Sequence, residues 1–439
     1  MCGSTLDSPP VGAKTLREGI RFALKAAAIV LVLIAADSSS DVGAADDSAP
    51  PPRMQSAKDL FNDQPKGLSD HIVAWKLIYY GETLGNLSGG LAQGAIYEGM
   101  AKIGVGVNLE KLVGLEDAVF YANAIYPHGD SVTQKYTGDF NTVSNIDTTD
   151  GVRLYKLWLQ KAFDDDKWEV RAGQIAADKE CFVSDGASLY LNNAFGTFPT
   201  FSSNIPGPIF PLSAPGVRVR WALSESFSVL TMVFSGDVGS ATSNPHNADW
   251  RYHGRNGALS LTEMAYHTNQ TDDAKGLPGT FKLGGYYDSK AFSDQTGVGT
   301  VPGNYGVYAM ADQLLYRAPV GSEEDTRGLG SFLRVGFAPQ SDTNVVTFDL
   351  ETGLNYTGLL RVRPKDITGI GFAFTRFGDP YVQANGGTGH HESIVELTDL
   401  VVLSEHSTLQ PDVQYIANPG GLGGLHDAWV AGLRFTVSY

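Results

Sequence analysis

The stretch "AGLRFTVSY" (431–439) decides how the chain is to be read. Leu433, Phe435, Val437 and Tyr439 are apolar at every second place, with Arg434, Thr436 and Ser438 between them. Period-2 alternation marks a strand whose two faces meet different surroundings. Chain ends of water-soluble domains usually fray and are polar. A strand that runs to an aromatic last residue is expected where that strand must pair with the first one and close a barrel.

The same alternation recurs upstream. In "RLYKLWLQKAF" (153–163), Tyr155, Leu157 and Leu159 share one face and Lys156, Trp158 and Gln160 the other. In "WEVRAGQI" (168–175), Trp168, Val170 and Ala172 oppose Glu169 and Arg171. In "GVRVRWAL" (216–223), Val217, Val219, Trp221 and Leu223 oppose Arg218 and Arg220. Asp349, Glu351 and Asn355 alternate with Phe348, Leu350, Leu354 and Tyr356, and Gln410, Asp412 and Gln414 with Leu409, Val413 and Tyr415. Apolar faces begin or end on aromatics, among them Tyr155, Trp168, Trp221, Phe348, Tyr415, Trp429 and Tyr439. Aromatic girdles at both edges of an apolar band are the plan of transmembrane barrels. Short connections ("FDDDKW", "LSESF") alternating with long ones (177–215, 236–257) fit that plan too.

Composition agrees. Charged residues are 18%, Gly is 51, and Tyr 19 with Phe 21 is rich. A net charge of −16 argues against nucleic acid as a partner, since such proteins carry a basic face. Lys14, Arg17, Arg21 and Lys25 precede the apolar run "AAAIVLVLIAA" and then small residues, the order of a secretory signal. The run is too short to span a bilayer, which takes about 20 residues. Three segments are expected: a signal peptide over 1–45, a Pro-rich spacer and short N-terminal segment over 46–70, and a barrel over 71–439. Roughly 390 mature residues in strands of about ten plus connections give about 16 antiparallel strands, all-β, around a water-filled lumen.

"NLSGG" (86–90), "VGVNLEKLVGLED" and "GDFNTVSNIDTTDGVRLYKLWLQKAFDDDKWEVRAGQ" resemble the carbohydrate-selective porins of Gram-negative outer membranes, the OprB-like family. So do "GVYAMADQLLYR", "GLGSFLRVGFAP", "GLNYTGLLRVRPKDITGIGFA" and "LQPDVQYIANPGG", in order from about residue 71 to 439. The resemblance implies a 16-stranded outer-membrane channel for passive inward diffusion of small sugars, glucose-type monosaccharides in particular. It departs from the family at Cys181, in "ADKECFV", where an apolar residue is expected.

Sugars crossing such a pore exchange water for wall hydrogen bonds, so Arg, Asp, Glu and Gln should line the passage, with an aromatic platform. Binding must stay weak to permit flux. Strand parity nominates Lys156, Trp158, Glu169, Arg171, Arg218, Arg220, Arg334, Asp349, Glu351, Asp412 and Arg434 as lumen-lining, sugar-contacting residues, with Arg361 and Glu396 beside them. Trp158 is the expected platform. The rival is a general or anion-preferring porin on the same barrel, because the wall is rich in Arg.

No nucleophile elbow, phosphate loop or dinucleotide fingerprint occurs, and no enzyme activity or cofactor is expected. "GHHES" (389–393) reads as an exposed loop without a metal, since adjacent histidines on an extended chain point to opposite sides. The expected partners are small sugars, outer-membrane lipid and lipopolysaccharide, and the assembly machinery reading the Tyr439 strand. A homotrimer stays open.

Overall fold

The computed structural model describes residue 68 and residues 71–250, 257–270, 276–318 and 327–439. The expected signal peptide and all of the 46–70 segment except residue 68 lie outside the described residues. Sixteen strands form one closed antiparallel barrel: β1 Val73–Gly90, β2 Gly94–Asn108, β3 Ala118–Gly129, β4 Arg153–Phe163, β5 Trp168–Ile175, β6 Ala214–Ala222, β7 Phe227–Ser235 and β8 Ala258–Thr268, then β9 Gly279–Ser293, β10 Thr300–Arg317, β11 Gly328–Phe337, β12 Val346–Thr357, β13 Ile367–Phe377, β14 His391–Ser404, β15 Ser407–Ala417 and β16 His426–Ser438. Each strand pairs with its sequence neighbours. β16 returns to β1 in the register Tyr79↔Val437 to Asn86↔Val430, and Leu77 and Tyr439 exchange both backbone hydrogen bonds at 2.8 Å. Closure leaves the sheet without a free edge, as strands that span lipid require.

Alternation produces two surfaces. Leu77, Ile103, Leu159, Val217, Leu283, Val307, Leu333, Leu433 and Phe435 stand exposed on the outside, where hydrocarbon is their solvent. Trp168 stacks on Trp221 at 4.7 Å, next to the short turns 164–167 and 223–226, and His406 stacks on Tyr439 at 4.9 Å. At the opposite end, Tyr415 meets Trp429 at 4.9 Å and Phe348 meets Phe374 at 6.3 Å. These are the two girdles. The long segments 130–152 and 176–213 leave the barrel at this second end and fold back inside.

One expected face is corrected. Tyr155 is fully buried inside, with its hydroxyl 3.3 Å from Asp178, and does not belong to the outer aromatic row. Pairing jumps from Asn123↔Lys156 to Ala124↔Leu154, so Tyr155 is the extra residue of a bulge. A bulge puts one residue out of alternation, and parity counted from Trp158 then fails upstream of it.

The infolded segment 176–213 carries the largest apolar clusters. Phe182, Phe198 and Phe201 pack with Tyr286, Tyr308 and Met310 of the wall, while Tyr190 and Phe195 pack with Phe332. Tyr190 stacks on Phe195 at 4.5 Å over a wall patch lacking side chains. A Cβ placed on Gly371 would come within 2.7 Å of Tyr190 and 2.8 Å of Phe195. Both rings are buried and held, so a Gly371→Val variant must lift the segment from β13. We expect increased open-channel current noise and a lower temperature of heat-modified migration on gels.

Candidate permeation site

All eleven nominated residues stand on the inner side of the wall, but they do different things. A cavity of about 340 Å³ lies between the β1–β5 wall, β16 and the infolded segment; Lys156, Trp158, Arg171 and Arg434 line it. The other seven do not.

Four charges form a chain along β5, β6 and the start of the segment. Arg171 pairs with Glu180, Arg218 pairs with Glu169, and Arg218 Nε lies 3.0 Å from Glu180. Gln160 knits them together, accepting from Arg171 Nε at 2.9 Å and donating to Glu169 at 2.7 Å. The Arg171 guanidinium lies 3.9 Å from the Trp158 ring centroid and Tyr121 leans on the same ring at 5.1 Å. Trp158 is 3% exposed, so its face is taken by Arg171 and is not the expected platform for a sugar. A flat ring between a guanidinium and a tyrosine holds the cation in place. Arg220 is half-buried opposite Glu169 in the β5–β6 register, away from the cavity.

Arg334, Asp349 and Glu351 anchor the segment. Arg334 donates to the Phe195 and Gly196 carbonyls at 2.6 Å each and lies 4.3 Å from the Phe198 ring. Glu351 is 3.7 Å from Arg334, and Asp349 accepts from Thr200 N at 2.7 Å. Glu396 takes the amides of Leu191 and Asn192 at 2.6 and 3.0 Å. Asp312 takes Ser184 and Gly186, and Glu263 takes Phe182. Asp412 accepts from Gln414, which also donates to the Val143 carbonyl. A carboxylate accepting backbone N–H groups compensates its own burial, which makes these contacts strong clamps. Glu392, expected in an exposed loop, is instead buried on β14 and clamps Phe140 N and Asn141 N at 2.7 and 2.8 Å and Gly420 N at 2.7 Å. Arg361 sits in the exposed turn 358–366, not in the lumen.

Strand parity missed several cavity residues. Lys102 lies on β2, 5.2 Å from the Tyr80 ring centroid, in a stretch ("YEGMAKIGVGV") whose small residues blur the alternation. Asn145, Asp178, Lys179, Asn193 and Phe210 come from the infolded segments, where no periodicity applies. Asn145 accepts from Arg434 at 2.8 Å, and Arg434 also pairs with Glu82. Phe210 is half-buried, edge-on to Tyr155 at 6.1 Å, and is the more accessible aromatic at the cavity. Cys181 is buried behind Glu263 and Tyr308, and burial holds its thiol well above the ordinary range.

The inner charges are segregated. On β1–β6 the cations Lys76, Lys102, Arg153, Lys156, Arg171, Arg218 and Arg220 face the carboxylates Glu82, Glu98 and Glu169. On β11–β15 Arg334 stands among Asp349, Glu351, Glu392, Glu396 and Asp412. Both walls hold the infolded segments: the acidic one through backbone amides, the basic one through Arg171 and Arg218 on Glu180 and, on β16, Arg434 on Asn145.

A closed 16-stranded barrel narrowed by an infolded, wall-clamped segment is porin architecture. The model of the carbohydrate-selective porin, OprB family matches residues 92–439. The chain belongs to that family. The porin is 26% identical to Porin B of Pseudomonas aeruginosa, over 83% of this chain and 87% of that protein. In fold it matches a high-pH structure of Pseudomonas putida OprB with TM-score 0.76 and 23% identity, covering 90% of this chain and 100% of the other. The outer-membrane channel DcaP of Acinetobacter baumannii is more distant, at TM-score 0.51 and 11% identity over 84% and 97% of the two chains. The porin is thus a sugar channel of the Gram-negative outer membrane, in contact with its lipid.

Proposed function

We propose that the channel passes glucose-type monosaccharides passively into the periplasm, one ring at a time, through the cavity beside Arg171. The observation that carries this reading is the size and chemistry of that cavity. Its 340 Å³ lies at the small end of ligand sites, which run from about 300 to 1,000 Å³. Its accessible lining mixes Asn145, Ser188, Asn193 and Thr197 with the Phe210 ring, that is, hydroxyl partners beside an apolar surface. The buried charges are already paired with one another, so a neutral sugar meets donors without a deep electrostatic well. That is the condition for flux.

Glucose added to planar bilayers should reduce the unitary current in a saturable way. The Phe210→Ala variant should raise the half-blocking concentration several-fold without changing ion conductance much. Ion steps that glucose leaves untouched would move the reading to a general porin. Two partners belong to the same proposal. A second and third copy would cover the outward polar cluster in which Tyr79 O–H, Tyr97 O–H and His128 hydrogen-bond on β1–β3. The outer-membrane assembly machinery would read the β16 strand that ends on Tyr439.

A further inference from the structure

We propose that Glu180, carried by the infolded segment, is a specificity-determining residue of the channel: its carboxylate bridges Arg171 and Arg218 and cancels their charge at the cavity, so that anions gain no hold there and neutral solutes pass. The inference rests on the sugar-channel reading and names what sets its specificity.

The starting point is a pair of like charges. Arg171 and Arg218 stand directly opposite each other in the β5–β6 register, and both point inward, 6% and 4% exposed. Like charges placed opposite on neighbouring strands repel. The wall supplies Glu169, which pairs with Arg218 and accepts from Gln160. The segment supplies Glu180, and its two oxygens are divided. Oε1 pairs with Arg171 Nη1, and Oε2 lies 3.0 Å from Arg218 Nε. Two guanidiniums are thereby set against two carboxylates, and the group as a whole is neutral.

Glu180 reaches this place from a fixed backbone. It follows the turn Ala177–Lys179, where its own N–H donates to the Ala177 carbonyl at 3.0 Å and the Cys181 N–H donates to the same carbonyl at 2.8 Å. Ala177 and Cys181 are fully buried, and the Phe182 N–H is taken by Glu263 at 3.2 Å. Glu180 and Arg171 line the same cavity. Without the carboxylate, Arg171 would keep Gln160 at 2.9 Å and the Trp158 ring at 3.9 Å, and neither neutralises it. A guanidinium left so in a low-dielectric wall focuses the field and raises the local concentration of anions. Rings of Arg and Lys are how pores select anions. A neutral sugar gains little from such a charge, because its hydroxyls use donors and acceptors alike.

The test uses the full-length porin refolded into planar bilayers at neutral pH. It reads the reversal potential in a potassium chloride gradient and the block by gluconate beside that by glucose. Glu180→Gln keeps the size of the side chain and removes its charge. The reversal potential should shift toward chloride, and the half-blocking gluconate concentration should fall about tenfold relative to that of glucose. Arg171→Gln alone should shift the reversal potential toward potassium. The Arg171→Gln, Glu180→Gln double variant should return to the unmodified value, since one charge of each sign is gone. Unchanged selectivity in Glu180→Gln overturns the proposal. So does a several-fold rise in conductance without a shift toward chloride, because Glu180 then only anchors the segment. A double variant that stays as potassium-shifted as Arg171→Gln overturns it as well, even if Glu180→Gln alone does not refold. Glucose that leaves the unmodified current untouched would overturn the sugar reading, and the reversal potentials would then judge Glu180 separately.

Discussion

Replacing residues 184–204 with a short Gly-Ser linker raises the unitary conductance several-fold and abolishes block by glucose. The excised stretch carries Tyr190, Phe195, Phe198 and Phe201, rings that fill the interior against Phe332, Tyr286 and Tyr308. A 16-stranded barrel without a plug leaves an aqueous channel, so removing them opens cross-section that only side chains now occupy. The barrel itself should survive. Its ladder is closed through β1–β16 and involves no residue of the segment. Asp312, Asp349 and Glu396 lose their amide partners, but water enters with the excision and replaces those hydrogen bonds. The energetic loss falls on the segment, not on the wall. Single-channel recording before and after excision measures it, with gel mobility before and after heating as the check on folding. Unchanged conductance would place the narrowest point in the other infolded segment, 130–152, held by Glu392 at Asn141.

The wall was legible in the sequence and the plug was not, for reasons that follow from how each is built. Arg171 and Arg218 could be assigned to the inside because a strand's side chains alternate and a lipid-facing Arg is costly, about 2–4 kcal/mol at the midplane. Alternation fails wherever the register slips, as at Tyr155, and a bulge leaves no mark in composition. The role of each inward charge depends on what folds back onto it. Glu392 binds Asn141 from 251 positions away, and Arg334 binds Phe195 from 139 away. Nothing local to Arg334 separates a plug anchor from a sugar contact. Trp158 was the best aromatic candidate by type and place, and only the guanidinium 3.9 Å above it shows that its face is taken. The lysine on β2 was hidden for the opposite reason: Gly99, Ala101, Gly104 and Gly106 give too little contrast for a face to be drawn.

Arg334→Met is expected to be the most damaging single substitution in the lumen, costing about 3–5 kcal/mol, the range found when one partner of a buried ion pair is removed. Arg334 is fully buried, and so are both carboxylates beside it, Asp349 and Glu351. With the guanidinium gone, two adjacent carboxylates remain in a site that excludes water, and the Phe195 and Gly196 carbonyls lose their donor. The Phe198 ring loses the cation stacked against it. Two relaxations are open to the protein. Either a proton is taken up by the carboxylate pair, or the segment detaches and lets water in. Detachment should dominate, since it satisfies all four groups at once. Unitary conductance then rises toward that of the excised channel, and the heat-modification temperature falls. A Glu351→Gln substitution on top of Arg334→Met separates the two costs. Removing one charge should recover part of the thermal stability, because like-charge repulsion is relieved. Conductance should stay high, because no donor returns to the Phe195 and Gly196 carbonyls. If the double variant instead closes the channel again, the clamp is electrostatic balance between β11 and β12, and the hydrogen bonds from Arg334 to the segment are incidental.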